Sequence, residues 1–480
     1  MNPEKKLLIA KKLDELGVHI IEAGSAIASE GEINAIRLIV NEKLNAEICS
    51  FARALRPDID AVIQSEADSI HLVIPTSPMH YRFKLQKTPA QVLDMTVEAI
   101  QYAKDHGLIV EFSAEDATRS ELPFLKRVFQ LAEKTGADRL CACDTVGVMT
   151  PERTKTLFTE LTTHTSLPIS VHCHDDFGMA VANSLAGLQA GARGVHATVN
   201  GLGERAGNAS LEEIVMALYS LYQVKLPIKT QLFSNLSNLV SRLTGVPVQP
   251  NKAIVGENAF THEAGIHTHG VTSHPLTYEP ISPELVGVHR RFSAGKLSGT
   301  RGIQTFLEDM GLKPTPAHVQ EVFTRVKTLG DKGKTITDTD VYIIAEAVMG
   351  LPLQRSITLE ELTVMTGNRI TPTATVRIKL DSEPFTEAAI GIGPVDAAIN
   401  AIHKAIRQVT DIELAHYQVK AITGGTDALV EVAVNLKKGE KKISSMGAHG
   451  DIVMASVEAM LSGMNVLMAH TNNNQKIGEE

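Results

Sequence analysis

An apolar strand followed by an amphipathic helix, repeated through the first half of the sequence, is the pattern that most narrows the fold of this chain. Strands are predicted at Val18–Ala23, Asn45–Phe51, Ser69–Pro75, Leu108–Glu115, Arg139–Thr145, Pro168–His174 and Gly194–Asn200. Helical spacing fills the intervals at Glu30–Asn41, Pro89–His106, Ser120–Thr135, Thr150–Thr163 and Met179–Ala190. Near-continuous apolar strands alternating with helices predict a parallel sheet covered on both faces. The count is seven strands, whereas a closed barrel of this type needs eight. The chain opens on a helix instead: Asn2 caps it, Pro3 sits in its first turn, Ile9, Leu13 and Leu16 recur at helical spacing, and Gly17 ends it. The missing element therefore falls at the amino terminus. An open doubly wound sheet is the alternative, but polar residues follow nearly every strand, which suits a ring of loops around one mouth. The expectation is a TIM (β/α)8-type barrel over residues 1–224, lacking its first strand and closed by the helix Leu211–Leu221.

Beyond that point the texture changes. Residues 225–365 read as mostly helical linker or lid subdomains, broken at Gly245-Val246-Pro247 and Gly311-Leu312-Lys313-Pro314. Within them Ser293–Gly299 suits either a small anion-friendly loop before a helix or a solvated turn. Residues 366–470 are strand-rich, with strands at Thr373–Leu380, Leu414–Ile422 and Leu429–Leu436 and helices at Pro394–Gln408 and Gly450–Leu461. The two helix entries, Gly391-Ile392-Gly393-Pro394 and Met446-Gly447-Ala448-His449, look like loose copies and predict a separate α+β domain of two packed units. Residues 471–480 read as a disordered polar tail.

Composition removes several function classes. A net charge of −9 without a basic stripe argues against nucleic acid as a partner. No apolar run approaches the roughly 20 residues of a membrane span, and the start does not read as a signal peptide. Cys49, Cys141, Cys143 and Cys173 all fall inside predicted strands, as small core filler in a reducing cytoplasm would. Cys141 and Cys143 lack a matching second pair, so they read as core and not as metal ligands.

The sixth strand ends in His172-Cys173-His174-Asp175. Side chains two apart share a strand face, so His172 and His174 look the same way at the carboxyl end, where such barrels hold their chemistry. Neutral imidazole is the commonest metal ligand. An isolated pair would be better read as structural; the surrounding units and the polar loop Gly201–Asn208 tip the reading to a metal site, with Asn208 offering an oxygen. Glu115 closes its own strand as a base, a relay or an arginine partner, with an ion pair to Arg119 as the plain alternative. Thr145 suits a hydrogen bond to a bound carboxylate, and equally a helix cap. Glu22 and Arg205 also lie near strand ends, where they suit each other as an ion pair. His267, between Gly265 and Gly270 on a predicted mobile loop, is a candidate general base, although a lone loop histidine is more often simply solvated.

Four motifs in order carry a family resemblance: Leu16-Gly17-Val18-His19-Ile20-Ile21-Glu22-Ala23-Gly24, His172-Cys173-His174-Asp175, Gly201-Leu202-Gly203-Glu204-Arg205-Ala206-Gly207-Asn208 and Glu263-Ala264-Gly265-Ile266-His267. Over nearly its whole length the chain resembles the 2-isopropylmalate synthase, citramalate synthase and homocitrate synthase family. That resemblance implies condensation of acetyl-CoA with a 2-oxo acid. It implies a divalent metal (Mn, Mg or Zn) on His172, His174 and Asn208, with Glu115 and His267 as candidates for the base that deprotonates acetyl-CoA. Thr145 and Arg205 would bind substrate. Tyr278 matches a family tyrosine that reaches a partner subunit's site, which implies a homodimer. The carboxyl-terminal domain resembles an allosteric domain, implying leucine or isoleucine as effector. Within the family, 2-oxoisovalerate is the preferred acceptor and pyruvate the alternative, with Ser25, Phe51 and His71 as candidate pocket residues. Homocitrate synthase fits less well, because no arginine is clearly placed for a second carboxylate.

One departure stands out. The family's first strand carries an Arg-Asp-Gly motif that supplies a metal ligand and an enolate-stabilising arginine, and this sequence has none. The expectation is either an upstream start or a truncated copy, and the chain as written is expected to be inactive or nearly so. Two readings compete with the synthase. A metal-dependent hydrolase also uses His-x-His, but needs further ligands where the last predicted strand ends in Asn200-Gly201. A non-catalytic amino-acid-sensing subunit would keep the carboxyl-terminal domain alone in use.

Overall fold

The computed structural model describes residues 1–292, 299–331, 336–351, 357–380, 383–407, 411–421, 430–439 and 441–477. Residues Ser293–Ser298 of the expected anion-friendly loop lie outside them. The chain divides into two compact units, the first formed by Met1–Phe260 with Pro280–His289 and the second by Thr261–Glu279 with Arg290–Glu480.

In the first unit seven strands, β1 (Ile20–Gly24), β2 (Glu47–Arg53), β3 (Ser69–Pro75), β4 (Ile109–Glu115), β5 (Arg139–Asp144), β6 (Ile169–Cys173) and β7 (Gly194–His196), form one parallel sheet in chain order. The helices are α1 (Pro3–Leu16), α2 (Glu30–Asn41), α3 (Arg56–Ser65), α4 (Pro89–Asp105), α5 (Leu122–Thr135), α6 (Pro151–Thr162), α7 (Ala180–Gln189), α8 (Leu211–Ser220) and α9 (Phe233–Thr244). Their starts follow from the sequence. The Asn2, Thr88 and Thr150 side chains each accept a first-turn N–H, with proline in the turn that follows.

The strands alternate more strictly than the apolar runs suggested. Ile70, Leu72 and Ile74 of β3 and Val110, Phe112 and Ala114 of β4 pack into one core with residues of the helices, including Ile36, Ile59, Ile100 and Phe129. Their neighbours His71, Glu111 and Ser113 point the other way. On that second face Glu22 of β1 meets His71 of β3, Glu47 of β2 meets Arg139 of β5, and Glu111 of β4 meets His196 of β7. Side chains two and three strands apart touch only on the concave side of a curled sheet, so the interior is polar and the apolar shell lies outside it. β7 is shorter than predicted because Asn200 turns the backbone (φ 62°), its amide held by Glu212 and Ser237. The expected boundary at 224 falls inside this unit, since Phe233, Leu236 and Val240 of α9 share a core with Leu16, Val215 and Met216.

The second unit begins with β8 (Thr261–His262), α10 (Gly265–Ser273), β9 (Arg291–Phe292), α11 (Thr300–Asp309), α12 (Pro316–Asp331) and α13 (Asp338–Met349). Two antiparallel three-stranded sheets follow, each closed by a helix. They are β10 (Ile357–Gly367), β11 (Ile370–Leu380) and β12 (Glu383–Ile390) with α14 (Pro394–Ile406), then β13 (Glu413–Ala421), β14 (Val430–Lys438) and β15 (Lys441–His449) with α15 (Ile452–Ile477). The copied helix entries do mark two units, but each has three strands, and the first strand starts before residue 366. A bulge between Leu359 and Glu361 breaks the alternation that would have revealed β10, and Glu360 faces Arg377 and Lys379 instead. Where a disordered tail was expected, α15 runs to Ile477, with neither glycine nor proline after Gly463 to stop it before that point.

Candidate active site

At the carboxyl ends of β5, β6 and β7 three loops meet. His172 and His174 share a face, and their Nε2 atoms lie 3.3 Å apart. The Asn208 amide reaches within 3.1 Å of His172 Nε2, and an isolated bridge pairs the His174 and Asn208 backbones. The loop before Asn208 is shaped for that approach: a Cβ at Gly203 would stand 1.7 Å from Asn208 Oδ1. Arg205 ties the loops together, donating to both carboxylate oxygens of Asp176 (2.7 and 2.8 Å) and to the Thr145 carbonyl (2.8 Å). Its partner is therefore Asp176 and not Glu22, which lies on the far edge strand and pairs with His71.

Two other pairings differ from expectation. Glu115 is bound to Lys84 at 2.5 Å, with His80 Nδ1 at 3.2 Å. Arg119 turns instead to fully buried Asp116, whose left-handed backbone (φ 57°) points its carboxylate back along the short turn. Thr145 caps no helix, as Thr150 does that. Its hydroxyl oxygen accepts the Asp116 N–H at 2.8 Å, which leaves its own proton to donate elsewhere.

What lies behind the histidines has little signature along the chain. His196 Nδ1 stands 3.2 Å from His172 Nδ1, and its Nε2 stands 3.0 Å from Glu111 Oε1. Glu111 is buried. Burial pushes its carboxyl up, but His196, His71 and the Ser170 hydroxyl outweigh that and hold it well below the usual carboxylate range. Cys141, read as core, is buried and free, yet its sulfur lies 4.0 Å from His196 Nδ1; Glu111, Cys141 and His196 bring donor atoms within 4.8 Å of one another. Period two from Glu115 would have pointed to Glu111, and register with His172 to His196, once the curl of the sheet was known.

His172 and His174 fit a divalent cation. Burial, with His196 and His174 beside it, pushes His172 well below its ordinary value, and burial with Arg205 lowers His174, so both rings favour the neutral form that a metal ligand needs. The His174 Nδ1 is buried without a hydrogen-bond partner. Two nitrogens and an amide that can present its oxygen form a mixed set suited to Mn, Mg or Zn.

Across the concave face, His71 Nδ1 meets Glu22 Oε2 at 2.5 Å and its Nε2 meets the Ser113 hydroxyl at 2.6 Å. Burial alone would raise Glu22 and lower His71; their mutual attraction outweighs it, so Glu22 is lowered and His71 raised. The raised histidine stabilises the fold fully below its unfolded value, and the lowered carboxylate does so above its own. Glu22→Gln should therefore lower Tm most between about pH 4.3 and 6.5. The difference should shrink as pH rises through the His71 value or falls through that of Glu22. Melting curves from pH 4 to 9 test this, and a gap that widens in alkali would refute it.

His267 lies in α10 and not on a loop. Its ring stacks on Tyr278 with centroids 4.1 Å apart, and helical Gly270 admits that tyrosine, since a Cβ there would stand 2.6 Å from the ring. Beside them Glu279 accepts from His262 (3.1 Å) and from both ends of the Arg290 fork. These residues belong to the second unit.

The HMGL-like family model matches residues 1–240, the homocitrate synthase post-HMGL domain-like model residues 254–334, and the LeuA allosteric (dimerisation) domain model residues 335–468. An (R)-citramalate synthase of Methanocaldococcus jannaschii is 53% identical over 470 residues, covering 98% of this chain and 96% of that protein. The chain belongs to the citramalate synthase and 2-isopropylmalate synthase family. A protein of Methanothermobacter thermautotrophicus, provisionally named as an (R)-citramalate synthase, is 54% identical over 98% of this chain and 95% of its own length. A 2-isopropylmalate synthase of M. jannaschii is 52% identical over 98% and 91%. As a member of the family the chain is an enzyme of the acyl-transferring synthase class, with a barrel-type parallel sheet and a carboxyl-terminal α+β domain. Among the described residues no helix is long and apolar enough to cross a membrane.

Proposed function

We propose that this chain is built to condense acetyl-CoA and pyruvate with water to give (R)-citramalate and CoA, at a rate that its lack of the Arg-Asp-Gly motif keeps low. The observation that carries this reading is the similarity to (R)-citramalate synthases at 53–54% identity over 98% of the chain. It reverses the order of acceptors expected from the sequence alone, in which 2-oxoisovalerate and 2-isopropylmalate came first.

His172, His174 and Asn208 would hold the divalent ion. When bound, that ion supplies Lewis acidity at the acceptor's keto oxygen and a fixed orientation for its carboxylate. Thr145 has a hydroxyl proton to give the same carboxylate, and Arg205 holds the three surrounding loops in place. Glu115, and His267 from the second unit, are the candidate bases for the acetyl-CoA methyl proton. The resulting carbon nucleophile adds to the keto carbon, and water then cleaves the thioester to release CoA. Tyr278, stacked on His267, is assigned to the same chemistry, with each site completed by a partner copy. The LeuA-type domain supports both that homodimer and a leucine or isoleucine effector.

Free CoA release, measured with Mn²⁺ and either pyruvate or 2-oxoisovalerate, tests the assignment. The two acids differ by two carbons at the pocket, so a preference of about 10–200-fold for pyruvate is expected. The reverse preference would restore 2-isopropylmalate synthase. No release with any 2-oxo acid, alongside leucine or isoleucine binding, would favour the non-catalytic sensing subunit.

A further inference from the structure

Behind the ligand histidines a line of hydrogen bonds leads from Glu111 through His196 to His172. A carboxylate only accepts, so the proton in the 3.0 Å contact sits on His196 Nε2. Asn208 Nδ2, 3.1 Å from His172 Nε2, can only donate, so Nε2 carries no proton and His196 Nδ1, 3.2 Å from His172 Nδ1, is the acceptor in that contact. The proton in the 3.2 Å contact between the two rings then belongs to His172 Nδ1. Neutral His172 has none left for Nε2, whose lone pair faces His174 and Asn208.

The surroundings agree. Cys141 offers His196 Nδ1 only a weak S–H donor at 4.0 Å, and His71 meets the His196 ring edge to face at a centroid distance of 5.0 Å. Arg139 Nε stands 3.5 Å from the second oxygen of Glu111 as an ion-pair partner and is itself anchored by Glu47.

We propose that Glu111 and His196 are positioning residues: they hold the proton of His172 on Nδ1, and so keep its Nε2 bare for a divalent cation. Neither touches the candidate cation position. Both act by choosing a tautomer, as outer partners of ligating histidines do. The role of Nε2 rests on the metal reading above, whereas the tautomer does not.

Nitrogen NMR of the full-length, chelator-stripped protein with ¹⁵N-labelled histidine separates the two. The His172 ring is assigned by its loss in His172→Asn, and a proton on Nδ1 is expected. A proton on Nε2 would overturn the proposal whatever the protein binds. Mn²⁺ titration of His196→Phe and Glu111→Gln follows. In the second variant Arg139 and Ser170 claim the amide oxygen and turn the NH₂ toward His196, reversing the line. Affinity about 10–100-fold weaker in both is expected, with the His172 proton shifted toward Nε2. Wild-type affinity in both would overturn the proposal. If the unaltered protein binds no divalent ion while His172 still carries its proton on Nδ1, the metal reading fails and the tautomer assignment stands.

Discussion

Alanine at His172 is expected to lower Mn²⁺ affinity and CoA release together, each by more than the roughly 10–100-fold that loss of a ligand's outer partner costs. His172 stands at the centre of its group. One nitrogen faces His174 and Asn208 and the other faces His196. Its removal would take away one candidate ligand and isolate a second, since the Nδ1 of His174 has no hydrogen-bond partner. The fold should survive, because the ring lies on the polar concave face and not among the apolar residues between sheet and helices. Metal titration, CoA release and a melting curve on the same preparation test this. A variant that keeps wild-type Mn²⁺ affinity would remove His172 from the site.

Alanine at Gly207 should have the largest effect on the fold around the site. Gly207 has φ +100°, and a Cβ there would lie 2.0 Å from the Gly201 carbonyl oxygen. Both sides of that contact are backbone, so no side chain can yield. The same carbonyl accepts the Asn208 N–H at 3.0 Å, and displacing it moves Asn208 with it. The cost should be about 2–4 kcal/mol, a fall in Tm of roughly 4–16 °C for a unit of this size, together with loss of metal affinity. Gly107 supplies the comparison: its φ is also positive at +81°, but nothing lies within 4 Å of its Cβ position. Gly107→Ala should cost about 1 kcal/mol and leave the site intact. Equal effects from the two substitutions would show that backbone strain, and not the close approach, governs the loop.

What could be read from the sequence follows from distance along the chain. The strand–helix alternation was legible because each helix start is local: a capping side chain, then proline, in α1, α4 and α6. His172 and His174 were legible because two residues on one strand must share a face. Glu111 and His196 were not, since they meet across 85 residues and three strands, and only the curl of the sheet brings them together. Glu115 and Arg119 suggested a pair by proximity, yet a left-handed Asp116 between them took the arginine. In the second unit β10 escaped notice for the opposite reason: its bulge broke the alternation that strand prediction depends on.

The order of the sheet bears on how such a molecule comes into being. Because the strands lie side by side in the order in which they are encoded, each one leaving the ribosome finds its neighbour already made, and domains generally fold as units during synthesis. The ladder can thus grow by short steps, while the links from Glu47 to Arg139 and from Glu111 to His196 span 92 and 85 residues and need the sheet to have curled. The last part of this unit to be completed in assembly is then the line of side chains that reaches His172, so a nascent chain acquires its shape before it acquires its chemistry.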